Sequence, residues 1–318
     1  MKRSFLFILV FIGCRYLYSQ PVPKESFYKK STKILYDSGE NWSSLSCLSS
    51  VRFQHLNLTE LNPDTLYAKL KMGVQNNKTN IELYGFSYFR YKKYYYGYSY
   101  PRVITNTSKF DHYLGKKVGI ERVGFNFGKT DLSGIGYENN WIRMQICRGR
   151  ENWGAGNDIE LALGDNSNPY DYLLFGSDYG RIRVNYIHGF LETVSNQINR
   201  YVTARGIEWT NNKSLLIGLS ETVIYSGENR SLDIGYINPI STHLEIELNN
   251  RLNIKGNQYS NAVWQAHIDL MLFKNIRLSA NYLFDEFVID PEIEKDKEHG
   301  NAYSLRAAYT LINKLEHV

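Results

Sequence analysis

From about residue 51 onward, apolar and polar residues alternate with a period of two, the spacing of a strand that separates two environments. The clearest stretch runs from Ala262 to Leu272. One side carries Ala262, Trp264, Ala266, Ile268, Leu270 and Leu272, and the other Gln265, His267 and Asp269. The next stretch repeats it, with Ile276, Leu278, Ala280, Tyr282 and Phe284 against Arg277, Ser279, Asn281 and Asp285. Lys274-Asn275 between them predicts a tight turn, as does Asn211-Asn212 between strands ending near Thr210 and starting near Ser214. Ile182, Val184 and Tyr186 alternate with Arg181, Arg183 and Asn185, and Tyr303, Leu305, Ala307, Tyr309 and Leu311 with Ser304, Arg306 and Thr310. By the same rule Leu244, Ile246 and Leu248, set against Glu245, Glu247 and Asn249, predict a further strand. The polar stretches 226–230, 253–261 and 291–300 read as longer loops.

Tilted strands of about 9–11 residues cross a bilayer, and roughly 12–14 or more segments of that length follow one another here. Strand after strand pairs one apolar face with an opposite face that is often charged. This predicts an all-β fold: a transmembrane antiparallel up-and-down β-barrel with hydrocarbon outside and a wet, charged lumen. No helical amphipathic segment of similar quality appears, which disfavours α/β folds. A soluble Tyr-rich β-sandwich or carbohydrate-binding domain is the competing reading, because it too has apolar-in, polar-out strands.

Composition shifts the balance toward the barrel. The 318 residues include 26 Tyr, and aromatic residues make up 14%. Tyr suits a membrane interface, since its ring is apolar and its hydroxyl seeks water. The chain starts with Lys2 and Arg3, followed by an apolar run from Ser4 to Gly13 that is too short to span a bilayer as a helix. Ser19 before Gln20 fits a cleavage site. The expected division is a signal peptide over 1–19, a Ser-rich periplasmic lead-in over 20–50 and an outer-membrane barrel over 51–318. Lipidation at Cys14, within Phe11-Ile12-Gly13-Cys14, is the alternative processing route. Either route exports the chain, and the expected location is the outer membrane of a Gram-negative bacterium.

Charge and cysteines narrow the partners. The net charge of +5 is spread along the chain. The Tyr-rich run from Arg90 to Tyr100 reads as an aromatic girdle or loop base, so nucleic acid is not an expected partner. Cys47 and Cys147 are expected to be unpaired, and their spacing carries no metal signature. The seven His (His55, His112, His188, His243, His267, His299 and His317) show no metal-ligand spacing, and there is no Gly-x-Ser-x-Gly elbow. His267 and Asp269 share a strand face, which two polar lumen residues explain without a catalytic dyad. No enzyme activity, metal or cofactor is expected.

The most informative run is Arg148-Gly149-Arg150-Glu151-Asn152-Trp153-Gly154-Ala155-Gly156-Asn157-Asp158, followed by Leu161-Ala162-Leu163, Asn168-Pro169 and Tyr170-Asp171. Downstream come Arg205-Gly206-Ile207-Glu208-Trp209-Thr210, then Asn238-Pro239, then Phe284-Asp285-Glu286-Phe287-Val288-Ile289-Asp290. In this order the elements resemble the signature of the Wzi-type capsule assembly family, over roughly residues 120–295. The resemblance implies an outer-membrane barrel, monomeric and without cofactor, that acts as a surface lectin and anchors capsular polysaccharide or exopolysaccharide after export. Known members tend to be longer. The ending Leu315-Glu316-His317-Val318 also lacks the terminal aromatic usual for such barrels, which fits a chain that is incomplete at its C-terminus.

Candidate polysaccharide-binding residues are Arg148, Arg150, Trp153, Asn157, Asp158, Arg205, Glu208, Trp209 and Asp285. Aromatic faces stack on sugar rings, planar amides and carboxylates bond hydroxyls, and Arg takes acidic groups in bidentate fashion. The plainer account is that Arg150, Glu151, Arg205 and Glu208 form an ion network bracing the lumen, with Trp153 and Trp209 as interface anchors. The competing function is a porin-like diffusion channel, which uses the same alternation and the same lumen charges.

Overall fold

The computed structural model describes residues 67–77, 80–92, 94–106, 127–139, 141–155, 161–164, 167–211, 214–249, 260–272, 276–285 and 300–309. The expected signal peptide and lead-in, Cys14, Cys47, Asn157, Asp158 and the Lys274-Asn275 turn lie outside the described residues.

Among the described residues, twelve strands form one antiparallel sheet in strict chain order. They are β1 (Tyr67–Asn77), β2 (Asn80–Tyr91), β3 (Tyr95–Ile104), β4 (Phe127–Glu138), β5 (Ile142–Gly149), β6 (Tyr170–Asp178), β7 (Ile182–Val194), β8 (Ile198–Thr210), β9 (Leu215–Glu228), β10 (Ser260–Leu272), β11 (Ile276–Asp285) and β12 (Asn301–Tyr309). Two short helices, α1 (Ile234–Ile237) and α2 (His243–Leu248), lie between β9 and β10. The fold is therefore all-β and up-and-down, as the alternation predicts. A β-sandwich needs two sheets, and these strands make one. Among the described residues the sheet is open, with β1 and β12 as its edges.

The two ends of the sheet differ. At one end the strands are joined by the tight connections 92–94, 139–141, 179–181, 211–214 and 273–275. At the other end lie the long connections 105–126, 150–169, 229–259 and 286–300, together with the short ones 78–79 and 195–197. At the tight end, acidic or amide side chains hold the turns. Asn139 Oδ1 accepts from Trp141 N (3.0 Å) and Ile142 N (2.8 Å), Asp178 Oδ1 from Gly180 N (2.7 Å), and Asn211 Oδ1 from Ser214 N (2.8 Å) and Leu215 N (3.0 Å). Pro101, which has no N–H to give a ladder, sits where the β3–β4 register shifts.

The two faces carry opposite chemistry, and the polar one is buried. One face, called inner here because the β5–β6 connection docks on it, buries Arg143 and Gln145 of β5, Arg183 and Asn185 of β7, Glu208 of β8, Gln265, His267 and Asp269 of β10, and Ser279 and Asn281 of β11. The outer face exposes Met144, Ile146, Leu173, Ile207, Ile217, Leu219, Ile268, Leu278 and Leu305. Exposed rings gather at the tight-turn end: Tyr91, Tyr94, Tyr95, Trp141, Tyr179 and Tyr309. Tyr95 and Tyr137 meet edge-on there, with centroids 5.4 Å apart.

Large rings on the inner face lie over glycines of the neighbouring strand. Tyr98 pairs with Gly134 and His267 with Gly218. A Cβ at Gly134 would stand 2.7 Å from Tyr98 Oη, and one at Gly218 would stand 2.3 Å from His267 Cε1. Glycine is needed at both positions because the ring occupies the space a side chain would fill.

Two expectations are corrected. Leu244, Ile246 and Leu248 do not form a strand; they belong to helix α2. Strands β9 and β10 already pair with each other, so no ladder edge is open to this segment. Its backbone bonds itself instead, Ile246 N to Thr242 O (3.1 Å) and Asn249 N to Glu245 O (3.2 Å). Six alternating residues are too few to separate the two periods. The stretch 226–230 is also not all loop, because β9 continues to Glu228 and the turn comes at Asn229, whose φ is 48°.

Candidate functional site

The described part of the β5–β6 connection folds onto the inner face and is tied down at both sides of the sheet. On the near side, Tyr172 of β6 donates to Glu151 Oε1 (2.6 Å), and Trp153 Nε1 reaches Glu151 Oε2 (3.3 Å). On the far side, Gln265 of β10 donates to Trp153 O (2.8 Å) and accepts from Ala162 N (3.0 Å). Asn281 of β11 accepts from Ala155 N (2.6 Å) and donates to Ala155 O (2.7 Å). One amide side chain thus satisfies both the backbone N–H and the C=O of one residue, as a neighbouring strand would. Within the connection, Trp153 N donates to Leu163 O (2.9 Å). Trp153 is 0% exposed and packs among Tyr96, Tyr98, Tyr170, Tyr172, Leu174 and Ile187.

Toward the tight-turn end, the inner face carries a row of charges. Arg183 pairs with Asp178 (3.1 Å) and lies 3.9 Å from Glu208, and Glu208 lies 3.6 Å from His267 Nε2. Strand β9 runs between Glu208 and His267, and Gly218 stands opposite both. Only a residue with no side chain there lets the imidazole cross β9. Asp269 pairs with Arg277 and accepts from Ser279 Oγ (3.1 Å).

A second polar cluster lies on the outer face, under the segment that carries α1 and α2. Arg205 of β8 pairs with Glu221 of β9 (3.2 Å), and both are buried. Glu221 also accepts from His243 N (3.0 Å), and Arg205 Nη1 reaches Asn238 O (3.4 Å). Tyr186 donates to Tyr236 O (2.8 Å) and lies 3.0 Å from His188 Nδ1. Tyr225 Oη accepts from Asp233 N (3.2 Å) and lies 2.6 Å from His188 Nε2. A carbonyl can only accept, so Tyr186 spends its hydrogen on Tyr236. The bonds then close with His188 neutral and its hydrogen on Nδ1. Tyr201, Tyr225 and Tyr236 stack in sequence at 4.9 and 4.7 Å.

The candidate residues that are described therefore do not form one site. Arg150 is buried and donates to Ser167 O (2.6 Å), where it braces the return of the docked connection on the inner face. Arg148 faces outward, paired with Asp171 (2.6 Å) and reaching Pro169 O (3.4 Å). Arg205 and Glu208 are three residues apart on one strand and so point to opposite faces, which overturns a single lumen network containing both. Trp209 is on the outer face beside Ile182 and Ile217, at the tight-turn end where the other rings gather. Asp285 is inner and closes β11, its N donating to Gly300 O (2.8 Å). Among the described residues, no group of three His, Cys, Asp or Glu could hold a metal ion. Cys147 is a buried free thiol.

Sequence reading missed Gln265 and Asn281 as clamps, although both were placed on polar strand faces. Their partners lie 112 and 126 residues away. No local pattern carries that information. Glu221 and His188 were missed because a buried polar residue on the apolar side of a strand has no signature until its cover is known. No protein-family model and no curated protein matches this sequence.

Proposed function

We propose that the chain forms the wall of an outer-membrane β-barrel that holds exported capsular polysaccharide or exopolysaccharide at the cell surface. The observation that carries the membrane part is the inverted sheet, with arginines, carboxylates and amides buried inside and isoleucines and leucines exposed outside. Water penalises that arrangement, and hydrocarbon rewards it. Short turns at one end and long connections at the other match the periplasmic and extracellular ends of such barrels. Hydrocarbon does not tolerate an open sheet edge, so β1 and β12 must be paired in the membrane, either with each other or with further strands.

The attachment role rests on the resemblance of the Trp153, Arg205, Asn238-Pro239 and Asp285 segments to the capsule assembly family. The docked β5–β6 connection favours attachment over free diffusion, because it fills inner space that an open channel needs. With Trp153 wholly packed, sugar contact is expected from the ends of the long connections. Deleting the gene should raise cell-free polymer while total synthesis stays constant. If the distribution is unchanged and the purified protein conducts freely in planar bilayers, the attachment role is lost and the channel reading replaces it.

A further inference from the structure

Among the described residues, the outer face carries charged or imidazole groups at two places: the exposed Arg148–Asp171 pair where β5 and β6 meet the long connection, and Arg205, Glu221 and His188 in the middle of β7, β8 and β9, all three buried. The segment that hides them turns its own charges inward, since Arg230 pairs with Asp233 (3.2 Å) and both are buried. To the outside it presents Ile234 (74% exposed) and Ile240 (85% exposed), along with Leu232 and Ile237. We propose that residues 229–240 are a lipid-facing cover, shielding the charged patch of β7–β9 and presenting Leu232, Ile234, Ile237 and Ile240 to bilayer acyl chains. The inference rests on the barrel reading above and extends it to a part of the wall made by a connection, not a strand.

Two observations support acyl chains as the occupant. First, the segment continues the belt. Its edge and the outer strands jointly line a groove of about 570 Å³, with Leu232 and Ile237 together with Ile135, Ile146, Leu173 and Phe190, and with Arg148, Asp171 and His188 also in the lining. A second hollow places Pro239 and Ile240 beside Ile207 and Leu219 of the belt. Second, the charges under the cover lie in mid-strand, among neighbours whose outward side chains are apolar (Ile207, Ile217 and Leu219), whereas the exposed Arg148–Asp171 pair sits at the strand ends. A charged group on the lipid face of a barrel is destabilising, and a cover anchored by backbone and phenol hydrogen bonds removes it from lipid.

The test is nitroxide labelling of full-length protein in phospholipid vesicles, with the three native cysteines replaced by serine. Labels go at Ile234→Cys and Ile240→Cys. Ile146→Cys is the belt reference, and Ser195→Cys, on an exposed turn, is the aqueous reference. The expected result is loss of collisions with a water-soluble nickel chelate at 234 and 240, with oxygen collisions retained as at 146. If 234 and 240 behave like 195 while 146 stays lipid-exposed, the cover is wrong and the barrel stands. If both reagents are excluded at 234 and 240, a protein surface covers them and the inference is equally overturned. If 146 itself meets nickel, the barrel reading fails.

Discussion

The crossing of β9 by His267 gives a sharp test of how the inner face is built. Replacing Gly218 with Ala adds one methyl where the imidazole already lies, 2.3 Å from Cε1 and 2.4 Å from Nε2. Carbon contacts need roughly 3.5–4.0 Å, so the ring must retreat by more than about 1 Å. It cannot do so freely, because it is buried between β9 and Glu208, and Ile207 O lies 3.0 Å from the same Cβ position. Overpacking of this kind costs about 1–3 kcal/mol. The assay is reversible urea unfolding of protein refolded into lipid vesicles, comparing G218A with the parent. In a His267→Ser background the ring is gone and the same methyl should cost little, giving a coupling close to the single-variant penalty. If G218A is as stable as the parent, or its penalty is undiminished in H267S, the account of Gly218 as the gap for His267 is wrong.

Two further outcomes follow from the faces. Ile146 is 62% exposed, so Ile146→Arg would change the stability of a water-soluble protein by less than about 0.5 kcal/mol; in a bilayer it should cost about 2–4 kcal/mol. Unfolding from lipid vesicles measures the difference, and a value near zero refutes the apolar belt. Glu221→Ala strands Arg205 in a buried site and should destabilise by about 3–5 kcal/mol, with faster proteolysis within 229–249; the Arg205→Met, Glu221→Leu pair should recover most of that loss. Equal losses in the single and the double variant would show that the ion pair is not what holds the cover.

The strand pattern was legible because a half-buried strand writes its two environments directly into alternate residues. Gln265, His267 and Asp269 against Trp264, Ile268 and Leu270 name both faces without reference to any neighbour. Such a pattern fixes the faces relative to each other and leaves open which one is covered. The segment 243–248 shows the limit, since it alternates as well as its neighbours and is a helix. What decided it was the prior pairing of β9 with β10, a fact about distant residues. The motif around Trp153 was likewise visible as a run of Gly, Arg and Trp, and its clamps were not.

By itself, then, the sequence determined an all-β chain of alternating strands, an Asn-bearing tight turn at 211–212, and strands with one apolar face and one polar, often charged face. Only the tertiary structure decided that Arg205 and Glu208 part company, that Trp153 is packed and not displayed, and that a connection covers charges on the outer face. Side-chain period is a local property of the backbone. Burial, by contrast, depends on which far-off segment comes to rest on a face, and no window of neighbouring residues contains that information.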